Sequence, residues 1–324
     1  MATANTAVWS GFWPRLIAYV ADTIILGAVC YALGMLAIDY FAGLGSTGRV
    51  VGLVLGTLYF GLTGSYVFGG RSIGMRMLGL KVTGLDGRPL GMPAAFGRAL
   101  LLVGPLMLNG WFFDIKDPVL VKLVGIVAGT AVFGVCLAQL YLLLFNWPTR
   151  RLVHDLVFGA VVVRADATEV MLPKSRVHAI VASVLVAAGL AFSLMGAFAV
   201  QSVAPKLAAQ IGPLQRVQVA VNALPDVRET TVLDNTSVVF EGSGSVKTRT
   251  LVVKARLAKR SGDPDQAMAR IGAAVVNAYA FAPGQRLNVE IVYGFDLGFA
   301  AYTTTQNSPF STQCKTADVK CLTF

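Results

Sequence analysis

Runs of apolar residues long enough to cross a bilayer constrain this chain more than any other feature. A transmembrane helix needs about 20 mainly apolar residues, and five segments meet or approach that length: 16–37, 50–68, 99–113, 119–145 and 179–200, the third being the shortest. Composition agrees, with 55% hydrophobic residues and only 14% charged, against about 25% charged in soluble domains. The chain therefore reads as an α-helical integral membrane bundle of about five spans plus a small extracytoplasmic α+β domain. The first run is too long for a signal peptide and lacks a small-residue cleavage site before a hydrophilic chain. The net charge of +10 is spread over both halves without a basic run or a recognition motif, so no nucleic-acid partner is expected.

Basic residues flanking the runs set an expected orientation. Arg71, Arg76, Lys81, Arg88 and Arg98 lie between the second and third runs, and Arg150, Arg151, Arg164, Lys174 and Arg176 between the fourth and fifth. The opposite side carries only Arg49, Lys116 and Lys122, beside Asp114 and Asp117. This predicts a multi-pass protein of a bacterial inner (plasma) membrane with a cytoplasmic N-terminus. The domain plan is then a cytoplasmic tail (1–10), a membrane domain (11–165) with a cytoplasmic loop (70–98), a linker (166–178), a fifth helix (179–200) and an extracytoplasmic domain (201–324). A re-entrant pair formed by the third and fourth runs would leave that parity unchanged. Cys30 and Cys136 fall inside runs, whereas Cys314 and Cys321 lie in the exported part, where an oxidising environment favours a disulfide.

Three motifs follow one another across the membrane domain. Gly11-Phe12-Trp13-Pro14-Arg15 opens the first run, with Asp22 seven residues later. After the second run comes Gly70-Arg71-Ser72-Ile73-Gly74-Met75-Arg76-Met77-Leu78-Gly79-Leu80-Lys81-Val82, then the turn Asp86-Gly87-Arg88-Pro89. After the fourth stands Arg151-Leu152-Val153-His154-Asp155-Leu156-Val157-Phe158-Gly159. In this order the motifs resemble the RDD family of membrane proteins, over about residues 11–165. Met75 stands where the family commonly has lysine, and Ala160 where it commonly has threonine. The resemblance implies a membrane domain and, for function, the transport suggested for some members.

Read physically, Arg15 and Asp22 are two helical turns apart and share a face, with Asp22 about 10 Å deeper. An aspartate at that depth costs about 2.5–3.5 kcal/mol on insertion scales, so Asp22 should be neutral, paired or lining a polar cavity. Two roles stay open for it, a solute or cation site and a hydrogen bond to a neighbouring helix. Asp155 and Arg15 are expected at the same membrane face, where they can pair. His154 beside one aspartate is far short of a metal site, and His178 is expected to be solvated. In the loop, Ile73, Met77 and Leu80 interleave with Arg71, Arg76 and Lys81 around Gly74, as in an amphipathic helix on an anionic leaflet. Phosphate recognition by Arg71 and Arg76 is the alternative. Residues 81–88 read as a hairpin around Asp-Gly, with 156–164 as a strand able to pair with it. Gly52 and Gly56 suit close helix packing.

Beyond residue 200 the material changes. Alternation predicts strands at 217–221, 238–240, 251–257 and 287–293, with a turn at Gly242-Ser243-Gly244. Helical spacing marks 266–279, with Asp263 as N-cap and Pro264 in the first turn, and the Thr/Ser-rich stretch 301–324 reads as a loop stapled by its cysteines. No nucleotide, protease or hydrolase motif occurs, so neither enzyme activity nor a cofactor or metal is expected. Two function classes remain: a carrier of an ion or small solute working around Asp22, and a non-catalytic scaffold whose exported domain binds an envelope protein. The carrier requires a polar group facing Asp22 across the bundle, and the scaffold an exposed apolar patch on 201–324. The bilayer is the expected partner in both, and a homo-oligomer stays open.

Overall fold

The computed structural model describes residues 9–108, 118–147, 149–167, 177–241 and 244–322. The tail before Trp9, most of the linker 166–178, the end of the third run and the Gly242-Ser243 turn lie outside the described residues, as do Asp114, Lys116, Asp117, Lys174 and Arg176. The chain divides into two compact units: 1–32, 49–200 and 297–300 form one, and 33–48, 201–296 and 301–324 the other.

The first unit is helical and apolar. Helix α1 runs Phe12–Leu36 and α3 Arg49–Gly64; the end of α1 from Leu33 and the short α2 (Ile38–Leu44), between them in sequence, fall in the second unit. Helix α4 (Ile73–Met77) and strand β1 (Leu80–Gly84) lead to α5 (Met92–Leu108). Helix α6 (Pro118–Gly129), a π-helical stretch (Thr130–Val135) and α7 (Cys136–Phe145) make one long apolar run. Helix α8 (Val153–Val157), strand β2 (Ala160–Arg164) and α9 (Val177–Asn222) follow, residues 201–222 of α9 falling in the second unit. Four helical segments are long and apolar enough to span a membrane: Phe12–Leu36, Ile38–Gly64, Val119–Phe145 and Val177–Ala199. The expected third span is the shorter α5, 17 residues with Pro105 inside it. Large apolar side chains such as Ile24, Leu123 and Phe198 are more than half exposed, which is the inverse of a water-soluble surface and suits lipid contact.

Glycines set the close approaches in this unit. A Cβ on Gly189 of α9 would overlap the backbone of Gly134 in the π-helical stretch, the small-residue contact by which helices pack in lipid. Gly52 and Gly56 of α3 are buried, and Cβ atoms there would meet the Leu297 carbonyl, the Phe299 ring and Val103 of α5. Strands β1 and β2 pair antiparallel, Val82 opposite Val162. The expected hairpin survives as a turn, with the Gly84 N–H on the Arg88 carbonyl. Its second arm leaves β1, however, and Leu90 bridges Ser65 instead.

The second unit holds a four-stranded sheet in the order β3 (Val227–Glu241), β4 (Gly244–Leu257), β5 (Arg286–Asp296), β6 (Ala301–Phe310). Strands β4 and β5 are parallel, joined through α10 (Pro264–Ala278), and the other pairs are antiparallel. Alternate residues Leu251, Val253, Ala255, Leu287, Val289 and Ile291 bury one face against Met268, Ile271 and Val275 of α10. Asp263 caps α10, its carboxylate accepting from the Gln266 N–H at 3.0 Å. Two expectations are corrected. Residues 217–221 are helical, because Val217 and Val221, four apart, share the buried face of α9. Residues 301–310 form strand β6 rather than a loop: its side chains are mostly exposed, so an edge strand carries no apolar alternation to read. Cys314 and Cys321 are disulfide-bonded, and Cys30 and Cys136 are free.

Candidate functional site

Asp22 sits on α1 with 1% of its surface exposed. Its Oδ1 accepts from the Tyr59 hydroxyl of α3 at 2.6 Å and from the Gly74 N–H at 2.8 Å, and its Oδ2 from the Ser72 hydroxyl at 2.5 Å. Ser72 in turn caps α4 by accepting from the Met75 N–H at 3.2 Å. A Cβ on Gly74 would overlap the Ala18 carbonyl, so the glycine in this loop is what lets α4 rest on α1 and offer its N–H to the carboxylate. A buried carboxylate is tolerable when its lone pairs are satisfied in this way.

Arg15, two turns nearer the start of α1, is bound by backbone. Its guanidinium donates to the carbonyls of Arg150 (2.6 Å), Thr149 (2.8 Å) and Val162 (2.7 Å), and to the Ser10 hydroxyl. The fork of guanidinium donors suits such a set of acceptors in a way an ammonium does not. Arg150 has φ +47, rare for a residue with a side chain, and the grip of Arg15 on its carbonyl helps hold that conformation. Arg151 adds bonds to the carbonyls of Ala160 (2.9 Å) and Asp155 (3.1 Å). Together these arginines fix the chain entering α8.

That entry places Asp155. Its carboxylate accepts from the Leu152 N–H at 3.2 Å and from Nε of Arg98 at 2.8 Å. The side chains of Arg98 and Asp155 are 6% and 1% exposed. The expected Arg15–Asp155 pair is therefore replaced by Arg98–Asp155, because the donors of Arg15 are committed to carbonyls. His154 lies beside them, Nδ1 2.8 Å from Oε1 of Gln139 on α7 and Nε2 3.5 Å from Asp155. Burial holds His154 down to about 4, against the attraction of Asp155, so it is neutral at pH 7. Burial pushes Asp155 up, but Arg98, His154 and Arg15 outweigh it and hold the carboxyl down to about 2. His178 is not simply solvated: its Nδ1 meets the Tyr141 hydroxyl at 3.0 Å.

Arg15, Asp22, Arg98, His154, Asp155 and Gln139 line a single cavity of about 350 Å³. Its remaining wall is apolar, with Phe60, Leu102, Leu106, Cys136 and Leu143 among the lining residues. The sequence singled out Arg15, Asp22, His154 and Asp155 but missed Arg98, Gln139, Tyr59 and Ser72. Arg98 was legible only as one more loop charge; the signal was its place six residues into an apolar helix that starts at Met92. The loop residues Arg71, Arg76 and Lys81 fall elsewhere, around a separate cleft. Among the described residues no group of three or more His, Cys, Asp or Glu can hold a metal ion.

The RDD family model matches residues 9–159. No curated protein and no solved structure matches the chain.

Proposed function

From the membership of residues 9–159 in the RDD family of membrane proteins, we propose that this unit binds a small solute in the 350 Å³ cavity and carries it across a bacterial inner membrane. That cavity is the observation on which the reading rests. Charged side chains inside a bilayer are costly and mark solute or ion paths, and a helix lock alone needs no void beside it. The polar end, Arg98, His154 and Gln139, orients a polar group of the solute, and the apolar wall takes its body. Asp22 is the group that couples a proton or cation, facing the Tyr59 hydroxyl across the bundle. The scaffold alternative draws less support. Among the described side chains beyond residue 211, only Val219 and Leu233 are exposed large apolar groups, too few for the apolar patch such a partner surface needs. Basic loops on the cytoplasmic side, with 201–324 outside, complete the proposed topology.

The test uses purified full-length protein and a panel of inorganic cations, organic cations, organic anions and amino acids. A bound solute at about 100 times its Kd raises stability by about 2.7 kcal/mol, read as a higher melting temperature. Hits are then assayed for flux in proteoliposomes. The expected result is a stabilising solute whose shift and flux are both lost in Leu102→Trp, which fills the cavity. Flux that survives Leu102→Trp in a folded protein refutes the reading.

A further inference from the structure

A second cleft, of about 640 Å³, lies in the loop between α3 and α5 and is lined by Phe68, Arg71, Arg76, Lys81 and Thr83 among others. Three cations converge there with no carboxylate partner within 4.0 Å among the described residues. Their donors reach only neutral carbonyls: Arg71 to Leu80 (3.2 Å), Arg76 to Phe68 (3.3 Å) and Arg71 (3.3 Å), and Lys81 to Ala167 (3.0 Å). A carbonyl dipole does not neutralise a charge, so three like charges left together call for an anion.

A second, independent feature points the same way. Thr83 is 1% exposed, and its hydroxyl has no hydrogen-bond partner among the described residues. A buried hydroxyl left unpaired costs about 1–3 kcal/mol, a penalty relieved once the Thr83 side chain turns its hydroxyl toward a ligand oxygen in the cleft that the residue lines. Positive-φ glycines at 69, 70 and 87 shape the surrounding backbone. A Cβ on Gly70 would overlap the Val82 carbonyl, so the loop closes tightly enough to bring Arg71 beside Lys81 and Thr83.

The surroundings identify the source of the anion. Tyr66, Val67, Phe68, Ile73 and Met77 are exposed apolar side chains flanking the cleft in sequence. Such side chains enter the acyl boundary while neighbouring Lys and Arg reach headgroup level. A phosphate oxygen array accepts charge-assisted hydrogen bonds from both donor types, bidentate from a guanidinium and as a point charge from an ammonium. We propose that Arg71, Arg76, Lys81 and Thr83 form a binding site for the phosphate group of an anionic phospholipid in the adjacent leaflet. The site is independent of the solute cavity and of whether that cavity transports anything.

The full-length protein, reconstituted in nanodiscs of equal parts phosphatidylcholine and phosphatidylglycerol and released into detergent, is examined by native mass spectrometry for retained lipid. The wild type should keep phosphatidylglycerol selectively. Arg76→Gln/Lys81→Gln should cut that selectivity by about tenfold, the equivalent of 1.4 kcal/mol, and Thr83→Val should lower it by a smaller factor. Arg76→Lys, which preserves charge, should retain most of it. Arg164→Gln, an exposed arginine paired with Asp166, should behave as wild type. Arg76→Gln alone, at an exposed position, guards against misfolding and should still lower the selectivity. Displacement of the lipid by inorganic phosphate would support the phosphate site and assign its occupant to a soluble phosphate ester. Equal retention of both lipids, or the same loss in Arg164→Gln as in the cleft variants, would overturn the proposal.

Discussion

Asp155→Asn removes one charge from a pair whose members are 6% and 1% exposed and 2.8 Å apart. The amide offers one oxygen where the carboxylate offered two, so it cannot serve both Arg98 and the Leu152 N–H. Arg98 is left charged and buried without its counterion. Breaking such a pair from one side costs about 3–5 kcal/mol, and Arg98→Met, which strands Asp155, should cost a comparable amount. The double variant removes both charges and should lose less than the sum, with a coupling energy of about 2–3 kcal/mol. Equilibrium unfolding in mixed micelles, followed by tryptophan fluorescence, measures each corner of the cycle. An Arg15/Asp155 charge swap should rescue nothing, since Arg15 is held by the carbonyls of Thr149, Arg150 and Val162. Additive single-variant losses, or a cost under about 1 kcal/mol for Asp155→Asn, the range of a solvent-exposed pair, would refute the assignment.

Acid should unfold the membrane unit in two overlapping stages. His154 is lowered from 6.5 to about 4, so the unfolded chain takes up its proton first and stability falls as pH drops from about 6.5 toward 4. Asp155 is lowered from 3.8 to about 2, and its contribution, complete above about 4, is lost as pH falls toward 2. Melting temperature against pH should show both, and His154→Gln should erase the upper stage. Gly74→Val places a Cβ on the Ala18 carbonyl and should cost at least about 1–3 kcal/mol as overpacking, read as a lowered melting temperature in detergent. Thiol labelling of the unreduced, denatured chain should count two free cysteines, Cys30 and Cys136. Reducing the Cys314–Cys321 bridge should destabilise the sheet unit by about 2.5 kcal/mol on the chain-entropy account.

The long apolar runs were legible because a bilayer demands length and hydropathy and little else. Segment 99–113 starts about two turns too late, since α5 begins at Met92 and carries Arg98 inside it, a charge that sequence alone assigns to the loop. The motif residues declared themselves as charges in apolar surroundings, but their partners did not. Arg98 meets Asp155 across 57 positions, and nothing local announces that pairing. Arg15 satisfies backbone carbonyls, which carry no sequence signature at all. In the second unit, helix α10 was legible from Asp263, Pro264 and its apolar spacing. Val217-Gln218-Val219-Ala220-Val221 fits both a period of two and an i, i+4 face, and the 46-residue helix α9 decided it. The polar edge strand β6 gave no alternation because it buries little.

The central claim is that Arg15, Asp22, His154 and Asp155 wall a solute-sized cavity, and Cys136, a free cysteine lining it, reports on that directly. In a Cys30→Ala background, the rate of alkylation of native protein in nanodiscs by a small neutral maleimide should fall by about tenfold, or 1.4 kcal/mol in barrier, when Leu102→Trp fills the cavity. A solute identified by thermal shift should protect Cys136 to a similar degree. Alkylation at the same rate with the cavity filled and empty, in protein that remains folded, would contradict the account.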